Sequence, residues 1–233
     1  MIDSYISIDL ETTGLNPRLD KIIEIGAVKV VNGQITETFT TLVNPGRKLE
    51  ERIVELTGIT QAQVDAAPQI EQVLPRLMEF LEEMPLLGHR ILFDYSFLKQ
   101  TIVNHKYPFE KKGVDTLQIA RVFLPQIEKR TLEFLCRYYE IPHVAHRATE
   151  DAKATHRLYR RLCREFGGLD VSYFEPKPLI YSVKKETPAT KPQKERLYRL
   201  IEKHHIEADY NIEQLTRSEA SRYTDKILAQ YGK

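Results

Sequence analysis

The sequence predicts an α/β protein: a mixed sheet covered by helices, with a small helical module behind it. Three observations carry that prediction. The first 43 residues alternate as strands and contain an Asn-Gly turn. From about residue 48 apolar residues recur at three and four, interrupted by short apolar strands. Beyond a stretch holding Pro176, Pro178, Pro188 and Pro192, two capping signatures open further helices.

In chain order, Tyr5-Ile6-Ser7-Ile8-Asp9 alternates, Ile22 to Val31 is an apolar run, and Ile35 to Val43 is a third strand. Asn32-Gly33 between the last two predicts a type I′ hairpin, because both central residues of that turn need positive φ. The start is therefore an antiparallel meander. Ile70, Val73, Leu74, Leu77, Met78 and Leu81 mark a helix with one buried face. Leu86-Leu87-Gly88 reads as a short strand and Val114 as another, and helical spacing returns at Phe97–Val103, Leu117–Phe123, Leu132–Tyr139 and Thr155–Phe166. Gly167-Gly168 closes the region. Residues 1–168 are thus expected as one domain, 169–189 as a linker or extended arm, and 190–233 as the helical module. In that module Thr190-Lys191-Pro192-Gln193 and Thr216-Arg217-Ser218-Glu219 fit the capping box, and Ala220, Tyr223, Thr224, Ile227, Leu228 and Tyr231 form one stripe.

At 233 residues, 42% hydrophobic and 29% charged, with 10 Gly and 12 Pro, the composition excludes collagen-like, low-complexity and disordered chains. No apolar run approaches a membrane span and no basic-then-apolar leader opens the chain, so no membrane partner and a cytoplasmic location are expected. Cys136 and Cys163 lack zinc-ligand spacing and read as reduced core thiols. The net charge of +1 is unevenly spread: residues 177–233 carry 12 Lys+Arg against 8 Asp+Glu, and the remainder carries 22 against 25. An acidic body therefore bears a basic tail. Lys191, Lys194, Arg196, Arg199 and Lys203 crowd its first helix, where they would tether a single strand, dock on a partner protein or form a solvated face.

Three blocks carry chemistry. In Asp9-Leu10-Glu11-Thr12-Thr13-Gly14 the two acids, two apart on a strand, share a face and repel each other, which a hard cation between them would relieve. In Gly88-His89-Arg90-Ile91-Leu92-Phe93-Asp94 the aspartate stands at a helix start, where it is equally readable as an N-cap. In His146-Arg147-Ala148-Thr149-Glu150-Asp151-Ala152 a loop histidine precedes an aspartate in a helix's first turn.

These blocks, in this order and at these separations, resemble the DEDDh (DnaQ-like) 3′→5′ exonucleases. That family includes the proofreading ε subunit of bacterial DNA polymerase III, the PolC exonuclease domain, RNase T and oligoribonuclease. The resemblance spans roughly residues 3–166 and extends to I-I-E-I-G-A at 22–27, Asp115-Thr116-Leu117 and Thr131-Leu132 with Leu135. It implies a ribonuclease H-like fold with a five-stranded mixed sheet flanked by helices. It further implies that Asp9, Glu11, Asp94 and Asp151 hold two divalent cations, Mg²⁺ or Mn²⁺, and that His146 is the general base. Thr12, Thr13, Gly14 and Leu15 are implied to meet the terminal nucleotide, with Leu15 as a wedge. His89, Arg90, Phe93 and Phe97 are further substrate-contact candidates, with the core face of a helix as the other reading of both phenylalanines; Arg90 stands where many members have Asn, so that contact does not carry over, and Arg90 reads either as a phosphate ligand or as an outward surface cation. The implied activity is 3′→5′ hydrolysis at single-stranded 3′ ends, DNA first, releasing 5′-mononucleotides. The alternatives are RNA trimming in the manner of RNase T or oligoribonuclease, and a non-catalytic module binding nucleic acid or a polymerase. A nucleic acid with a free 3′ end is the expected partner, and a polymerase or other replication protein is a second candidate.

Overall fold

The computed structural model describes residues 1–144, 147–208 and 210–232. Its centre is a mixed sheet. β1 (Tyr5–Thr12), β2 (Ile22–Val31) and β3 (Gln34–Leu42) form the antiparallel meander, and β4 (Leu86–Gly88) and β5 (Lys112–Asp115) extend it in parallel from the β1 side. The hairpin between β2 and β3 turns on Asn32 at φ 51° and Gly33 at φ 75°, the two positive values that a type I′ turn requires. The sheet has six strands where five were expected. The sixth, β6 (Lys177–Pro178), comes from the proline-rich arm and pairs antiparallel with β5 through Lys112↔Pro178 and Gly113↔Lys177. Proline is tolerated there because β6 is the edge strand.

The alternation in β1 sorts its side chains to two covered faces. Ile6, Ile8 and Leu10 join Ile25 and Ala27 beneath α3 (Ile70–Leu81) and α4 (Ile91–Asn104). Tyr5, with Val28, Val30, Leu87 and Val114, meets α5 (Thr116–Phe123), α6 (Leu132–Tyr138) and α7 (Ala148–Phe166). Two short helices that the apolar spacing did not disclose, α1 (Glu51–Thr57) and α2 (Gln61–Asp65), cover Ile23 with Ile53 and Val64. The arm does not hang free. Leu179 N–H donates to Lys111 O at 2.9 Å. Further on, Lys184 O accepts from Gln100 Nε2 at 2.7 Å, and Glu186 N–H donates to Asn104 Oδ1 at 3.0 Å. The arm thereby covers the outer side of α4, which explains why that helix is buried nearly all round.

Beyond the arm, α8 (Lys191–Lys203) and α9 (Arg217–Tyr231) begin with the two capping boxes read from the sequence, each with reciprocal hydrogen bonds. Leu197, Leu200, Ile212, Leu215, Ala220 and Ile227 form an apolar cluster of their own. Of the basic residues on α8, Lys194 is engaged by Glu213 at 2.7 Å. Among the described residues no helix is long and apolar enough to cross a membrane.

One close approach decides where α7 can lie. A Cβ added at Gly26, in the middle of β2, would fall on the backbone carbon of Ala148 and the nitrogen of Thr149. Glu24, two residues before it and 2% exposed, accepts a hydrogen bond from Ala148 N–H at 3.2 Å, and Ser7 Oγ donates to Ala152 O at 2.8 Å. Glycine at 26 thus lets the N-terminus of α7 settle onto β2, which brings Asp151 beside β1. Gly26→Ala should destabilise the protein by about 1–3 kcal/mol, the usual cost of overpacking, which for a chain of this size lowers Tm by roughly 2–4 °C per kcal/mol. Gly168→Ala is the control, since an added Cβ there meets nothing within 4 Å. Equal melting curves for the two variants would contradict this account.

Candidate active site

The cleft lies where the carboxyl ends of β1 and β4 meet the first turns of α4 and α7. It is lined by Asp9, Leu10, Glu11, Leu15, His89, Arg90, Phe93, Asp94, Leu132 and Asp151. Asp9 and Glu11 project from the same face of β1, and Asp151 meets them from α7. One carboxylate oxygen from each of the three lies within 4.8 Å of the others. Asp94 reaches the same cleft from α4, where its Oδ1 accepts from Leu10 N–H at 3.1 Å. This bond crosses from helix to strand and fixes the carboxylate against the end of β1.

The acids carry mutual strain. Burial first, then the charges of Asp94, Asp151, Glu11 and Glu24, push the Asp9 carboxyl well above the usual range. Burial, Asp151 and Glu24 raise Glu11 to about 7. Asp94 is also pushed well up, by burial above all, although its own N–H and that of Leu10 act in the opposite direction. Glu24 stands directly across from Glu11 in the β1–β2 register. Arg147 is the nearby cation, 3.6 Å from Glu24, and its side chain is largely exposed. A set of oxygen-only ligands that repel one another in a partly dry cleft suits a hard divalent cation.

The structure corrects one of the substrate-contact candidates and places the others. Phe97, a substrate-contact candidate, is 1% exposed and belongs to the core beneath the sheet; it supports Phe93 with ring centroids 5.0 Å apart, and Phe93 is the ring that lines the cleft. His89 has no ring nitrogen to spare for substrate: Nδ1 is 2.9 Å from Thr116 Oγ1 and Nε2 is 2.8 Å from Arg130 O. It pins the loop after β4 to α5 instead. Thr12 and Thr13 are buried, with Thr12 Oγ1 donating to Gly14 O at 2.6 Å and Thr13 Oγ1 accepting from Lys21 N–H at 3.0 Å. Gly14 is packed so closely on Asp20 that a Cβ there would stand 2.5 Å from its Oδ2. Leu15, in contrast, is 82% exposed at the cleft mouth.

Arg90 is exposed and adopts left-handed backbone geometry, φ 72° and ψ 45°, as the residue that precedes α4. Its N–H donates to Asp115 Oδ1 at 2.9 Å, and its guanidinium lies 5.9 Å from the Phe93 ring centroid.

His146 lies outside the described residues. A histidine that the sequence reading did not single out, His143, has its Nε2 2.6 Å from Asp151 Oδ1, with both side chains at or below 10% exposure. The other oxygen of Asp151 accepts from Arg147 N–H at 3.0 Å. The signal available for His143 was its position three residues before His146 in the sequence. For Glu24 the signal was an acid inside the apolar Ile22–Val31 run.

The comparisons with known proteins agree with this geometry. The exonuclease family (RNase_T) matches residues 6–159. The chain is 32% identical to the PolC-type DNA polymerase III of Clostridium perfringens over 97% of its own length and 16% of that protein. The chain thus spans about a sixth of the length of such relatives. The solved nuclease domain of 3′hExo, a DEDDh family member, bound to rAMP, superimposes with TM-score 0.59 at 26% identity, covering 70% of this chain and 92% of that one. Exonuclease X in complex with 5′ overhanging duplex DNA gives TM-score 0.58 at 26% identity, over 70% and 93%. Matched from the second residue of β1 to the middle of α7, the chain belongs to the exonuclease family, on its DEDDh (DnaQ-like) branch.

Proposed function

We propose that the protein is a metal-dependent 3′→5′ exonuclease that hydrolyses single-stranded DNA from its 3′ end and releases 5′-mononucleotides. The observation that carries this reading is the convergence of the Asp9, Glu11 and Asp151 oxygens within 4.8 Å at the floor of a cleft edged by Leu15 and Arg90. Asp9, Glu11, Asp94 and Asp151 would hold two divalent cations, Mg²⁺ or Mn²⁺. When bound, such ions lower the pKa of the attacking water and neutralise the departing 3′ oxygen. The protein's own residues do the rest. His146 accepts the water's proton, a role suited to an imidazole with its ordinary pKa of ~6.5. Leu15 wedges against the last base, the Thr12–Gly14 backbone lies along its sugar, Phe93 offers a stacking face, and Arg90 takes a substrate phosphate.

DNA is favoured because the PolC-type relatives are DNA polymerases and Exonuclease X was solved with DNA. RNA is the second reading, because 3′hExo was solved with rAMP. In both cases a polymerase or replication partner is proposed on the strength of the PolC likeness.

The test is 5′-labelled DNA and RNA of one sequence, incubated with Mg²⁺ or Mn²⁺. Wild type should shorten the DNA stepwise from the 3′ end, and Asp9→Ala and Asp151→Ala should not. Asp9→Ala should melt no lower than wild type without metal, since it removes a repelled carboxyl. Asp151→Ala gives up the bond to Arg147 N–H, worth about 1 kcal/mol. Degradation by either variant at near the wild-type rate would end the two-metal reading.

His146→Ala should lower kcat by roughly 10²–10⁴, the range for a lost general base, with divalent-cation affinity retained in calorimetric titration. His143→Ala should cost less than about tenfold, as a residue that orients Asp151 and does not take the proton. The reverse order would move the base to His143.

A pH test addresses the repulsion. Glu11 is raised in the folded state from the ordinary carboxyl value to about 7. Its proton-bound form therefore favours folding below the unfolded value, and that contribution is lost as pH rises towards 7. In EDTA, urea unfolding should show Glu11→Gln gaining on wild type between pH 4.5 and 7.5, by up to about 3 kcal/mol. A difference that stays flat across that window would mean the acids do not strain the metal-free fold.

A further inference from the structure

The loop joining β1 to β2, residues 13–21, carries Leu15 out into solvent. An apolar side chain held in water stays aimed only if its backbone is fixed from elsewhere. Inside the loop, Thr13 N–H donates to Lys21 O and Asn16 N–H to Asp20 Oδ2, each at 2.9 Å, and Asp20 N–H donates to Asn16 O at 2.8 Å. The carbonyl of Leu19 is taken by two guanidinium groups from other elements: Arg47 Nη1 at 2.8 Å and Arg222 Nη1 at 3.2 Å. Arg222 belongs to α9, and its Nη1 is also 3.5 Å from Asp20 Oδ1. A helix more than two hundred positions along the chain thus holds the loop by both a carbonyl and a carboxylate.

Glu219, one turn earlier on α9, supplies a second tie. Its Oε1 is 2.7 Å from Arg47 Nη2 and 3.5 Å from Lys21 Nζ, while Oε2 closes the capping box on Thr216. The Arg47 and Glu219 side chains are 9% and 13% exposed, so water and salt screen the pair weakly. Burial would raise the Glu219 carboxyl, but Lys21, the Thr216 N–H and Arg47 outweigh it and hold it below its usual range. Arg47 completes the circuit, because one guanidinium joins Glu219 of the module to Leu19 of the loop.

We propose that α9 is a positioning element of the nuclease site: through Arg222 and Glu219 the C-terminal module fixes the 13–21 loop, and with it the Leu15 wedge that meets the 3′-terminal nucleotide. The proposal rests on the functional reading above for the substrate, and on the hydrogen bonds alone for the loop. Arg222 and Glu219 do not line the acidic cleft, so their loss should weaken the hold on the substrate and spare the chemical step.

The full-length protein tests it. Arg222→Met, which keeps side-chain length and removes the donors, should raise KM for a short oligonucleotide roughly tenfold, the scale of one lost charge-assisted bond, and change kcat by less than about twofold. Arg222→Lys should recover part of the loss, since an ammonium still pairs with Asp20. Glu219→Gln preserves the capping box, because Gln serves at that position, and should raise KM by weakening the ties to Arg47 and to Lys21 of the loop. Lys226→Met, at an exposed position of the same helix, should leave both constants unchanged. Hydrogen exchange of the amides of residues 14–20, followed without substrate, should quicken in Arg222→Met and not in Lys226→Met. A fall in kcat at constant KM, or loop exchange equal to wild type, overturns the proposal. Faster loop exchange in a protein that degrades no oligonucleotide supports the positioning contact and removes the exonuclease reading.

Discussion

Like charges forced together at the end of β1 are the constraint that the surrounding fold serves. Asp9, Glu11, Asp94, Asp151 and Glu24 occupy one corner of the molecule, and both burial and neighbouring charge disfavour the ionised forms of Asp9, Glu11 and Asp94. A chain relaxing freely would splay them. What prevents this is covered sheet on both sides and a few directional bonds at the corner itself. Leu10 N–H holds Asp94, Arg147 N–H holds one oxygen of Asp151, and Glu24 turns its charge onto the N-terminus of α7, where the free N–H groups favour an anion. Glu24 therefore does two opposed things: it adds to the repulsion felt by Glu11, and it anchors the helix that delivers Asp151. Under the metal-dependent reading proposed above, this mutual repulsion is what a bound dication would relieve.

How much of this the sequence disclosed depended on whether the determining contact was local. The meander was legible because alternation and the Asn32-Gly33 turn act over a few residues. The module's helices were legible for the same reason, since both capping boxes close within four residues. The Asp9/Glu11 pair could be placed on one strand face by period alone. Its meeting with Asp94 and Asp151 could not, and came from the resemblance of three ordered blocks. The two short helices around Ile53 and Val64 were missed because they are too short to show a helical period. The pairing of β6 was invisible for another reason: two residues that include a proline carry no strand signal, and their pairing is decided by the free edge of β5. His89 and Phe97 illustrate the limit most directly. Their residue types suited a substrate, but the hydrogen bonds of His89 to Thr116 and Arg130, and the burial of Phe97 against β1 and β2, are non-local facts that no spacing announces.

The arm and the module change how the chain's halves relate. The likeness to PolC-type relatives runs over 97% of the chain, whereas the solved exonucleases cover about 70% of it. The part beyond residues 6–159, which the family matches, includes the arm and module that pair with β5, line α4 and reach back to the loop after β1. Its basic charge is not simply surplus: Lys194 is engaged within the module by Glu213, and Arg222 is directed at the body. The ion pairs at the boundary run both ways, Arg222 of the tail to Asp20 of the body and Arg47 of the body to Glu219 of the tail, so the uneven charge distribution is not by itself what joins them.

Arg90 shows how a local rule is broken where the site needs it. A left-handed conformation suits Gly or Asn and costs a longer L-residue roughly 1–2 kcal/mol. Arg90 nevertheless adopts it, because the chain must reverse sharply between Gly88 and Ile91 for α4 to begin over the end of β1. The turn is held by the Arg90 N–H bond to Asp115 on one side and by the double anchoring of His89 on the other. Asp115 also caps α5 through Leu117 N–H, so one carboxylate ties the start of α5 to the start of α4. Where the backbone is over-determined in this way, the side chain at 90 is free to be chosen for what it faces. What it faces is Phe93 and an acidic cleft, surroundings that support the role proposed above, a permanent, planar cation that takes a substrate phosphate.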